Sequence, residues 1–231
     1  MSDLRAAWED EARNWARFAR GHDHWRERFN WPRFAELLPP PAGGTVLDLG
    51  CGEGRAARDL RALGYPRVIA VDAAPTLAGM ARETGAYDEV LCADAAALPL
   101  EDGSIELVVA FMSLHDMNDL DGVVRETARV LRGGGRVCAA VVHPGNSAGI
   151  VGTYFGARRY AERLERDGIA LTFNSMHRSL EAVCGAFTGA GLLIDAVREP
   201  VPDDAAVADH PELSRARERP SFLHLRAVRS R

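Results

Sequence analysis

Hydrophobic and polar residues follow two alternating patterns along much of this chain. Short runs of mostly apolar residues, typical of buried strands, alternate with longer segments whose apolar residues recur every three or four positions, typical of amphipathic helices. This alternation predicts a parallel sheet covered by helices on both faces, which is a doubly wound α/β fold. The strands predicted in this way are 45–50, 67–72, 89–94, 105–113 and 136–144.

Helical patterns separate these strands and also precede them. The predicted helices span residues 54–64, 74–85 and 119–135, and the last of them ends in three consecutive glycines. Residues 3–38 also have aromatic and aliphatic positions at helical spacing, and the segment PPPAGG at 39–44 separates them from the first strand. We therefore expect an N-terminal helical segment ahead of the sheet.

The last third of the chain departs from this alternation. Residues 145–178 predict an irregular stretch, and a helix is predicted at 179–190. Two further strands, 192–199 and 221–228, are joined by the polar segment 200–220, which has no helical pattern. Because a connection without a helix suits antiparallel neighbours, we expect a hairpin at one edge of the sheet.

Length and composition indicate one domain of an ordinary globular protein. Of the 231 residues, 47% are hydrophobic and 26% are charged, which is usual for such a domain. The formal net charge of −5 disfavours a dedicated nucleic-acid-binding protein. We expect neither a signal peptide nor a membrane-spanning segment. The four cysteines lack ligand-like spacing, which indicates reduced thiols and a cytoplasmic location.

The segment VLDLGCGEGR at 46–55 is the most informative motif. Gly50, Cys51 and Gly52 are expected to form the turn from the first strand to the first helix, where glycine lets the backbone approach a ligand closely. Gly54 is expected to open that helix, whose free N–H groups favour acceptor or anionic groups. The third glycine of the dinucleotide fingerprint is absent, which argues against a pyrophosphate-binding turn.

Two aspartates end the next predicted strands. Asp72 ends the second strand, where a carboxylate can accept hydrogen bonds from both hydroxyls of a ribose. Asp94 ends the third strand, where it could reach an adenine amino group. Either aspartate alone could be a helix cap. Together with the glycine turn, at three successive strand ends, they predict a nucleoside site.

These segments resemble the motifs of the class I S-adenosylmethionine-dependent methyltransferases. VLDLGCGEG resembles the first motif, VIAVDAAP the second, ADAAALPLEDGSIELVVAFMSLHDM the third and fourth, and VLRGGGRVCAAVV the strand that follows. The resemblance covers residues 40–145 and implies S-adenosylmethionine as cofactor, with S-adenosylhomocysteine as product. It also implies a Rossmann-like sheet of seven mostly parallel strands whose last strand is antiparallel, in agreement with the expected hairpin.

The same resemblance implies which residues hold the cofactor. The glycine turn would contact the methionine part, Asp48 its amino group, and Asp72 the ribose. Residues at the next strand ends would line the adenine and complete the pocket around the sulfonium. The expected cofactor-binding residues are Asp48, Gly50, Cys51, Gly52, Asp72, Ala73, Asp94, Ala95, Phe111 and Met112.

We expect a single methyltransferase domain over residues 1–231, made of four segments. The resemblance implies a helical lid at 1–38 and the cofactor-binding core at 40–145. It further implies an insertion at 145–178 that caps the acceptor site. Residues 179–231 would then supply the closing helix and the edge hairpin.

Two histidines are candidate general bases that would remove a proton from the methyl acceptor. His143 follows the fifth strand, at the edge that faces the ligand crevice in open α/β sheets, and is narrowly preferred. A turn histidine hydrogen-bonded to backbone is an equally good interpretation of it. His115 lies just beyond the fourth strand, and packing beside the cofactor is its preferred interpretation.

The cap and the lid supply the candidate substrate contacts. Aromatic side chains in the cap could line an apolar acceptor pocket, although packing in the core would explain them equally well. Side chains of the lid could close over the site and exclude water, or could pack on the helices of the sheet. The candidates are Tyr154, Phe155, Tyr160 and Phe173 in the cap, and Trp15, His24 and Trp25 in the lid.

The segment GHDHWRERFNW at 21–31 also raises a metal hypothesis. His22 and His24 would face the same side only in an extended strand, whereas this segment has a helical or looped pattern. No cysteine or carboxylate cluster of the sequence pairs with them at recognisable ligand spacing. We therefore expect no metal site.

The sequence thus predicts S-adenosylmethionine-dependent methyl transfer to an O or N atom of a small molecule, by a monomer or homodimer that does not bind a membrane. Nucleic-acid substrates are disfavoured, because FMSL stands after the fourth strand where enzymes that methylate amino groups of nucleic acids carry [ND]PP[YF]. Two alternatives stay open: an NAD-dependent oxidoreductase on a related fold, and a protein that binds S-adenosylmethionine without transferring its methyl group.

Overall fold

The computed structural model describes residues 3–21 and 23–231 of the chain, so His22 of the metal hypothesis lies outside the described residues. The strands are β1 Thr45–Leu49, β2 Arg67–Asp72, β3 Glu89–Cys92, β4 Ile105–Phe111, β5 Leu131–Val142, β6 Arg158–Arg166, β7 Ile169–His177, β8 Leu192–Arg198 and β9 Phe222–Arg229. The α-helices are α1 Leu4–Gly21, α2 Trp31–Ala35, α3 Arg55–Ala62, α4 Pro75–Glu83, α5 Leu120–Val130, α6 Pro144–Val151, α7 Leu180–Gly189, α8 Asp204–Asp209 and α9 Arg215–Glu218.

Seven of these strands form one sheet in the order β3-β2-β1-β4-β5-β9-β8. The pairs from β3 to β5 are parallel, and β9 is antiparallel to both β5 and β8. The expected seven-stranded, mostly parallel sheet with an antiparallel last strand is therefore confirmed. The predicted edge hairpin also forms, with β8 at the edge and β9 inserted between β8 and β5.

Side chains on both faces of this sheet are buried, as a doubly wound fold requires. Successive residues of a strand point to opposite faces, and in β1 they enter two different core clusters. Leu47 and Leu49 belong to one cluster, and Val46 belongs to the other. The apolar runs in the sequence thus identified the buried strands because most side chains on both faces of the sheet are apolar, with Asp48 of β1 a buried polar exception.

The helix predicted over 119–135 is shorter than expected. Helix α5 ends at Val130, where the backbone turns to an extended conformation at Leu131. The three glycines after it belong to β5. A Cβ on Gly135 would lie 2.9 Å from the Arg132 carbonyl oxygen and 3.0 Å from that of Glu106. Glycine is needed there for close approach of β4, not to terminate the helix.

The prediction that residues 145–178 are irregular is wrong. They contain α6 and then an antiparallel hairpin of β6 and β7, which forms a separate two-stranded sheet. Asp167 and Gly168 connect its strands, with φ of 50° and 73°. An Asp-Gly pair with two positive φ values is a strong hairpin signal, and the sequence interpretation overlooked it.

Two further segments differ from the prediction. The polar segment 200–220 contains α8, a 3₁₀ turn at Pro211–Ser214 and α9. Asp203 caps α8 by accepting a hydrogen bond from the Ala206 N–H at 2.8 Å. The N-terminal segment is helical, as expected, but it consists of α1 followed by a π-helical turn at Arg26–Asn30 that continues into α2.

Helix α1 packs between α4 and the β6–β7 hairpin. Its Ala12 packs with Ala74 and Leu77 at the start of α4, and its Phe18 packs with Ile169 and Leu171 of β7. The helix thereby lies over the carboxyl ends of β1 and β2. In the described part of the chain, no helix has both the length and the apolar character needed to cross a membrane.

Candidate functional site

A cavity of about 790 Å³ lies at the end of the sheet where β1 to β5 finish. Ligands of open α/β sheets bind at this edge, beyond the carboxyl ends of the parallel strands. α1, the β6–β7 hairpin and the region around α9 enclose it from the other side. All the expected cofactor-binding residues line it: Asp48, Gly50, Cys51, Gly52, Asp72, Ala73, Asp94, Ala95, Phe111 and Met112.

The turn after β1 depends on its glycines. Gly50 has a φ of 72°, and a Cβ there would lie 2.5 Å from the Ser113 Cβ, which no side chain allows. Gly54, with a φ of 95°, is the residue that precedes α3. The turn therefore runs tightly between β4 and the cavity, with its backbone rather than side chains facing the space above it.

Asp72 is held rigidly at the end of β2. Its Oδ2 accepts a hydrogen bond from the Gly52 N–H at 2.8 Å, and its Oδ1 accepts one from the Ala74 N–H at 2.9 Å. Burial raises the pKa of this carboxyl, although both hydrogen bonds oppose the shift. Each oxygen keeps a further lone pair, so the carboxylate can still accept hydrogen bonds from the cavity.

Asp48 is buried at the floor of the cavity. The hydroxyl of Tyr87, a residue that the sequence interpretation missed, donates a hydrogen bond to its Oδ2 at 2.5 Å. Burial raises the pKa of Asp48 to about 7, and the nearby Asp72 charge adds to this shift. A cation at this position would stabilise the ionised form of Asp48.

Polar contacts join the lid to the glycine turn. The Trp15 indole N–H donates to Glu53 Oε2 at 2.6 Å, and Arg55 Nε contacts the other oxygen of Glu53 at 2.6 Å. Arg55 also pairs with Asp23 at 3.0 Å. Trp15 and Trp25, two of the three candidates from the N-terminal segment, both line the cavity.

His24 lies elsewhere. Its ring stacks on His210 with centroids 4.2 Å apart, and it is not among the residues that line the cavity. In the described part of the chain, no group of three or more His, Cys, Asp or Glu side chains is arranged to hold a metal ion.

The two candidate bases differ in position. His143 precedes α6, where its Nδ1 accepts a hydrogen bond from the Gly145 N–H at 3.0 Å and its Nε2 lies 2.9 Å from Glu199. It does not line the cavity, because these contacts direct its ring towards the start of α6. His115 does line it, and burial lowers the pKa of His115 to about 3, so its ring is neutral.

Two of the four aromatic candidates in the cap line the cavity and two do not. Phe155 is 78% exposed, and the Tyr154 hydroxyl accepts a hydrogen bond from the Leu180 N–H at 3.1 Å. Neither lines the cavity, because both precede the hairpin on its outer side. Tyr160 of β6 and Phe173 of β7 do line it.

The sequence interpretation also missed several polar residues of the cavity. Asp116 follows His115, and its Oδ1 accepts a hydrogen bond from the Ser175 hydroxyl at 2.6 Å. Arg26 is buried with its guanidinium 4.8 Å from the centre of the Trp31 ring, where it also pairs with Asp59. Asp116 directly follows the candidate base His115 in the sequence, so its position alone could have suggested it as a site residue. Ser175 and Arg26 are distant in sequence from the strand ends and reach the cavity only through the tertiary fold.

Comparison with known proteins agrees with this geometry. Residues 47–139 match a family model described as a methyltransferase domain. Over 102 residues the chain is 42% identical to a probable S-adenosylmethionine-dependent methyltransferase of Mycobacterium tuberculosis, a match that covers 44% of this chain and 37% of that protein. Over 112 residues it is 38% identical to the 27-O-demethylrifamycin SV methyltransferase of Amycolatopsis mediterranei, covering 46% of this chain and 41% of that protein.

The chain spans only about two fifths of the length of these curated relatives. The structural match is more extensive. The crystal structure of an S-adenosylmethionine-dependent methyltransferase from Mesorhizobium loti aligns with a TM-score of 0.70 at 26% identity, over 86% of this chain and 97% of that chain. The fold is therefore the Rossmann-like fold of that protein, beyond the segment matched by sequence.

Proposed function

Because this chain belongs to the class I S-adenosylmethionine-dependent methyltransferase family, we propose that it transfers a methyl group from S-adenosylmethionine to an O or N atom of a small molecule. The observation that carries this proposal is the convergence of the glycine turn, Asp48 and Asp72 on one large cavity. Asp48 and the glycine turn come from the end of β1, and Asp72 comes from the end of the neighbouring β2, so two adjacent strands present these groups to the same space.

The chemistry of the cavity fits this cofactor. Asp48 Oδ1 has no hydrogen-bond partner among the described residues, which leaves it available to an ammonium group. Asp72 retains acceptor capacity for ribose hydroxyls. Above the turn, the nearest atom to a Cβ on Gly52 would be the Trp15 Nε1, at 3.5 Å. A side chain at Gly52 would therefore occupy the gap between the turn and the lid.

When bound, S-adenosylmethionine supplies an electrophilic methyl group on a sulfonium. The residues of this chain would contribute mainly by binding and orientation, which can lower the barrier of a two-substrate reaction by several kcal/mol. Trp15 and α1 would exclude water from one side of the cavity. Trp25 and Phe222, whose rings lie 5.9 Å apart, would provide an apolar surface for the acceptor on the other.

A small-molecule acceptor is supported by the size and lining of the cavity. Its volume of about 790 Å³ lies in the upper part of the range usual for ligand sites, which suits a cofactor and a second ligand together. Among the relatives, the 27-O-demethylrifamycin SV methyltransferase is named for such an acceptor. The net charge of −5 does not suit a nucleic-acid surface.

Titration calorimetry with S-adenosylhomocysteine and with NAD tests the proposal. We expect saturable binding of S-adenosylhomocysteine and none of NAD, because the turn lacks the third glycine of the dinucleotide fingerprint. Binding of NAD alone would contradict the proposal in favour of an oxidoreductase. A screen of small-molecule hydroxyl and amine acceptors with methyl-labelled S-adenosylmethionine then separates an enzyme from a protein that only binds the cofactor.

A further inference from the structure

Asp116 ends a 3₁₀ turn, Leu114–Asp116, in the segment after β4 that packs directly against the glycine turn at Gly50. The segment contains Ser113, whose hydroxyl donates to the Leu49 carbonyl oxygen at 2.6 Å. It ends at Met117, whose Cε would lie 3.2 Å from a Cβ on Gly50. Asp116 lines the same cavity as the glycine turn. Under the proposed function, on which this inference rests, it lies beside the methionine end of the cofactor.

The cap hairpin holds Asp116 by one oxygen only. Its Oδ1 accepts the Ser175 hydroxyl hydrogen bond, and Ser175 on β7 is paired in register with Tyr160 on β6. Its Oδ2 has no hydrogen-bond partner among the described residues. Since the side chain is part of the cavity wall, one carboxylate oxygen is fixed by the protein and the other remains available to a ligand.

No arginine of the described part forms an ion pair with this carboxylate. Arg178 is near enough to act on it electrostatically, but its guanidinium donates to the carbonyl oxygens of Met117 and Asn118, at 2.6 and 3.0 Å. His115 Nε2 lies 3.5 Å from Asp116 Oδ1, and its ring is neutral. Burial raises the pKa of Asp116 to about 8, and the charge of Asp72 adds to this shift. The hydrogen bond from Ser175 and the charge of Arg178 oppose it.

A buried carboxylate without a counter-cation binds a proton more strongly than an exposed one. His115, the neighbouring candidate base, has the opposite property, because burial lowers the pKa of its ring to about 3. A general base is most effective when its pKa lies near the working pH. Of these two neighbours, Asp116 is therefore the better proton acceptor at neutral pH.

We propose that Asp116 is the general base of the methyl transfer and that Ser175 positions it, so that the acceptor is a hydroxyl or an ammonium group that must lose a proton. For a hydroxyl, the O–H proton passes to Asp116 Oδ2 and the oxygen electron pair forms the new O–C bond. The C–S bond breaks with its electron pair remaining on sulfur, and Asp116 later releases the proton to solvent.

Sinefungin provides a test that needs no knowledge of the acceptor. It is an analogue of S-adenosylmethionine that carries an amino group in the region of the transferable methyl, and S-adenosylhomocysteine lacks any group there. The ratio of the two affinities, measured by calorimetry, reports on the protein groups that contact this amino group. Asp48 and Asp72 would contact parts that both ligands share, so their effects cancel in the ratio.

We expect the wild-type protein to bind sinefungin more tightly than S-adenosylhomocysteine. In the Asp116→Asn variant the ratio of the two affinities should fall about tenfold, since a charge-assisted hydrogen bond is replaced by a neutral one. Asp121→Asn serves as the matched control. Asp121 is an exposed residue of α5 outside the cavity, and its replacement is the same Asp-to-Asn change of side chain. The control should keep the wild-type ratio.

The outcomes are distinguishable. If the wild-type protein binds S-adenosylhomocysteine but the ratio is the same in Asp116→Asn, the role of Asp116 is refuted and the proposed function stands. If the wild-type protein binds neither ligand, the proposed function fails and this inference fails with it. Should Asp116→Asn not fold, the wild-type ratio at pH 6 and pH 8.5 decides instead. It must rise with pH as the carboxyl ionises, and a constant ratio refutes the role of Asp116.

Discussion

At the scale of single residues, three aspartate carboxylates line the site, and each has a different hydrogen-bond donor. Asp48, Asp72 and Asp116 are each held by a hydrogen-bond donor on one oxygen at least, and each lines the same cavity. Their donors differ: a phenol for Asp48, two backbone N–H groups for Asp72 and a serine hydroxyl for Asp116. The donors hold each carboxylate in the wall of the cavity, where its remaining lone pairs are available to accept further hydrogen bonds.

Replacement of Asp72 tests the placement of the ribose site. We expect Asp72→Ala to weaken S-adenosylhomocysteine binding by at least about tenfold, because it removes a pre-oriented acceptor of hydrogen bonds worth roughly 1.5 kcal/mol or more. Calorimetry measures the effect.

The control for this experiment is His143→Ala. Its ring contacts Gly145 and Glu199 outside the cavity, so S-adenosylhomocysteine should bind with unchanged affinity. Equal losses in the two variants would contradict the assignment of the cofactor site to the end of β2.

At the scale of elements, polar contacts fasten α1 to the cofactor-binding core at several points, among them Glu9, Trp15 and Ala19. Near its middle, Trp15 contacts Glu53. One turn and a half earlier, Glu9 accepts hydrogen bonds from the Thr76 N–H at 2.9 Å and from the Thr76 hydroxyl at 2.5 Å. Glu9 thereby caps the first turn of α4, where N–H groups lack partners within the helix.

Loss of this cap should loosen α1 selectively. In Glu9→Ala we expect faster amide hydrogen exchange over α1 and the first turn of α4, with strands β1 and β4 unchanged, because the contact joins only these two elements. Asp10→Ala is the matched control, since Asp10 is the next residue and is exposed. Faster exchange throughout the protein, or equal exchange in both variants, would show that Glu9 does not fasten the lid.

At the scale of the whole molecule, buried ionisable groups make stability depend on pH in a definite direction. Burial raises the pKa of Asp48 to about 7 and of Asp116 to about 8. The folded chain thus holds protons that the unfolded chain releases near pH 4, so stability is lost as pH rises through 7 and 8. Burial lowers the pKa of His115 and His224 to about 3, so their contribution is present above pH 6.5 and lost as pH falls.

The free energy of unfolding should therefore fall between pH 6.5 and 8, because the two carboxyls lose protons there. The two histidines, whose ordinary pKa is near 6.5, complete the last part of their contribution in the same interval and offset only part of the decrease. Urea denaturation should show a smaller decrease in Asp116→Asn, by roughly 1–2 kcal/mol over this interval, because one raised pKa is removed. Asp121→Asn should decrease as the wild type does. An identical decrease in all three proteins would mean that Asp116 does not titrate in this range.

The sequence by itself determined the sheet and the cofactor edge, because both depend on local patterns. Mostly apolar runs identify β1, β2, β4 and β5, since both faces of these strands are buried; Asp48 of β1 is a buried polar exception at the cofactor edge. The positions around Gly50, Asp72 and Asp94 follow from the rule that parallel strands present their carboxyl ends at one edge. All ten expected cofactor residues consequently line the cavity, and their roles remain a proposal.

Only the tertiary structure decided which side chains from distant segments meet there. Ser175 reaches Asp116 across 59 positions of sequence, and Tyr87 reaches Asp48 across 39. His143 and Tyr154 have the residue types expected of the site, but neither lines the cavity: His143 accepts a hydrogen bond from Gly145, two positions away, and Tyr154 accepts one from Leu180, 26 positions away. Sequence patterns fix the direction of a strand and the position of its end. The direction of a side chain beyond that end depends on the partners that packing brings to it.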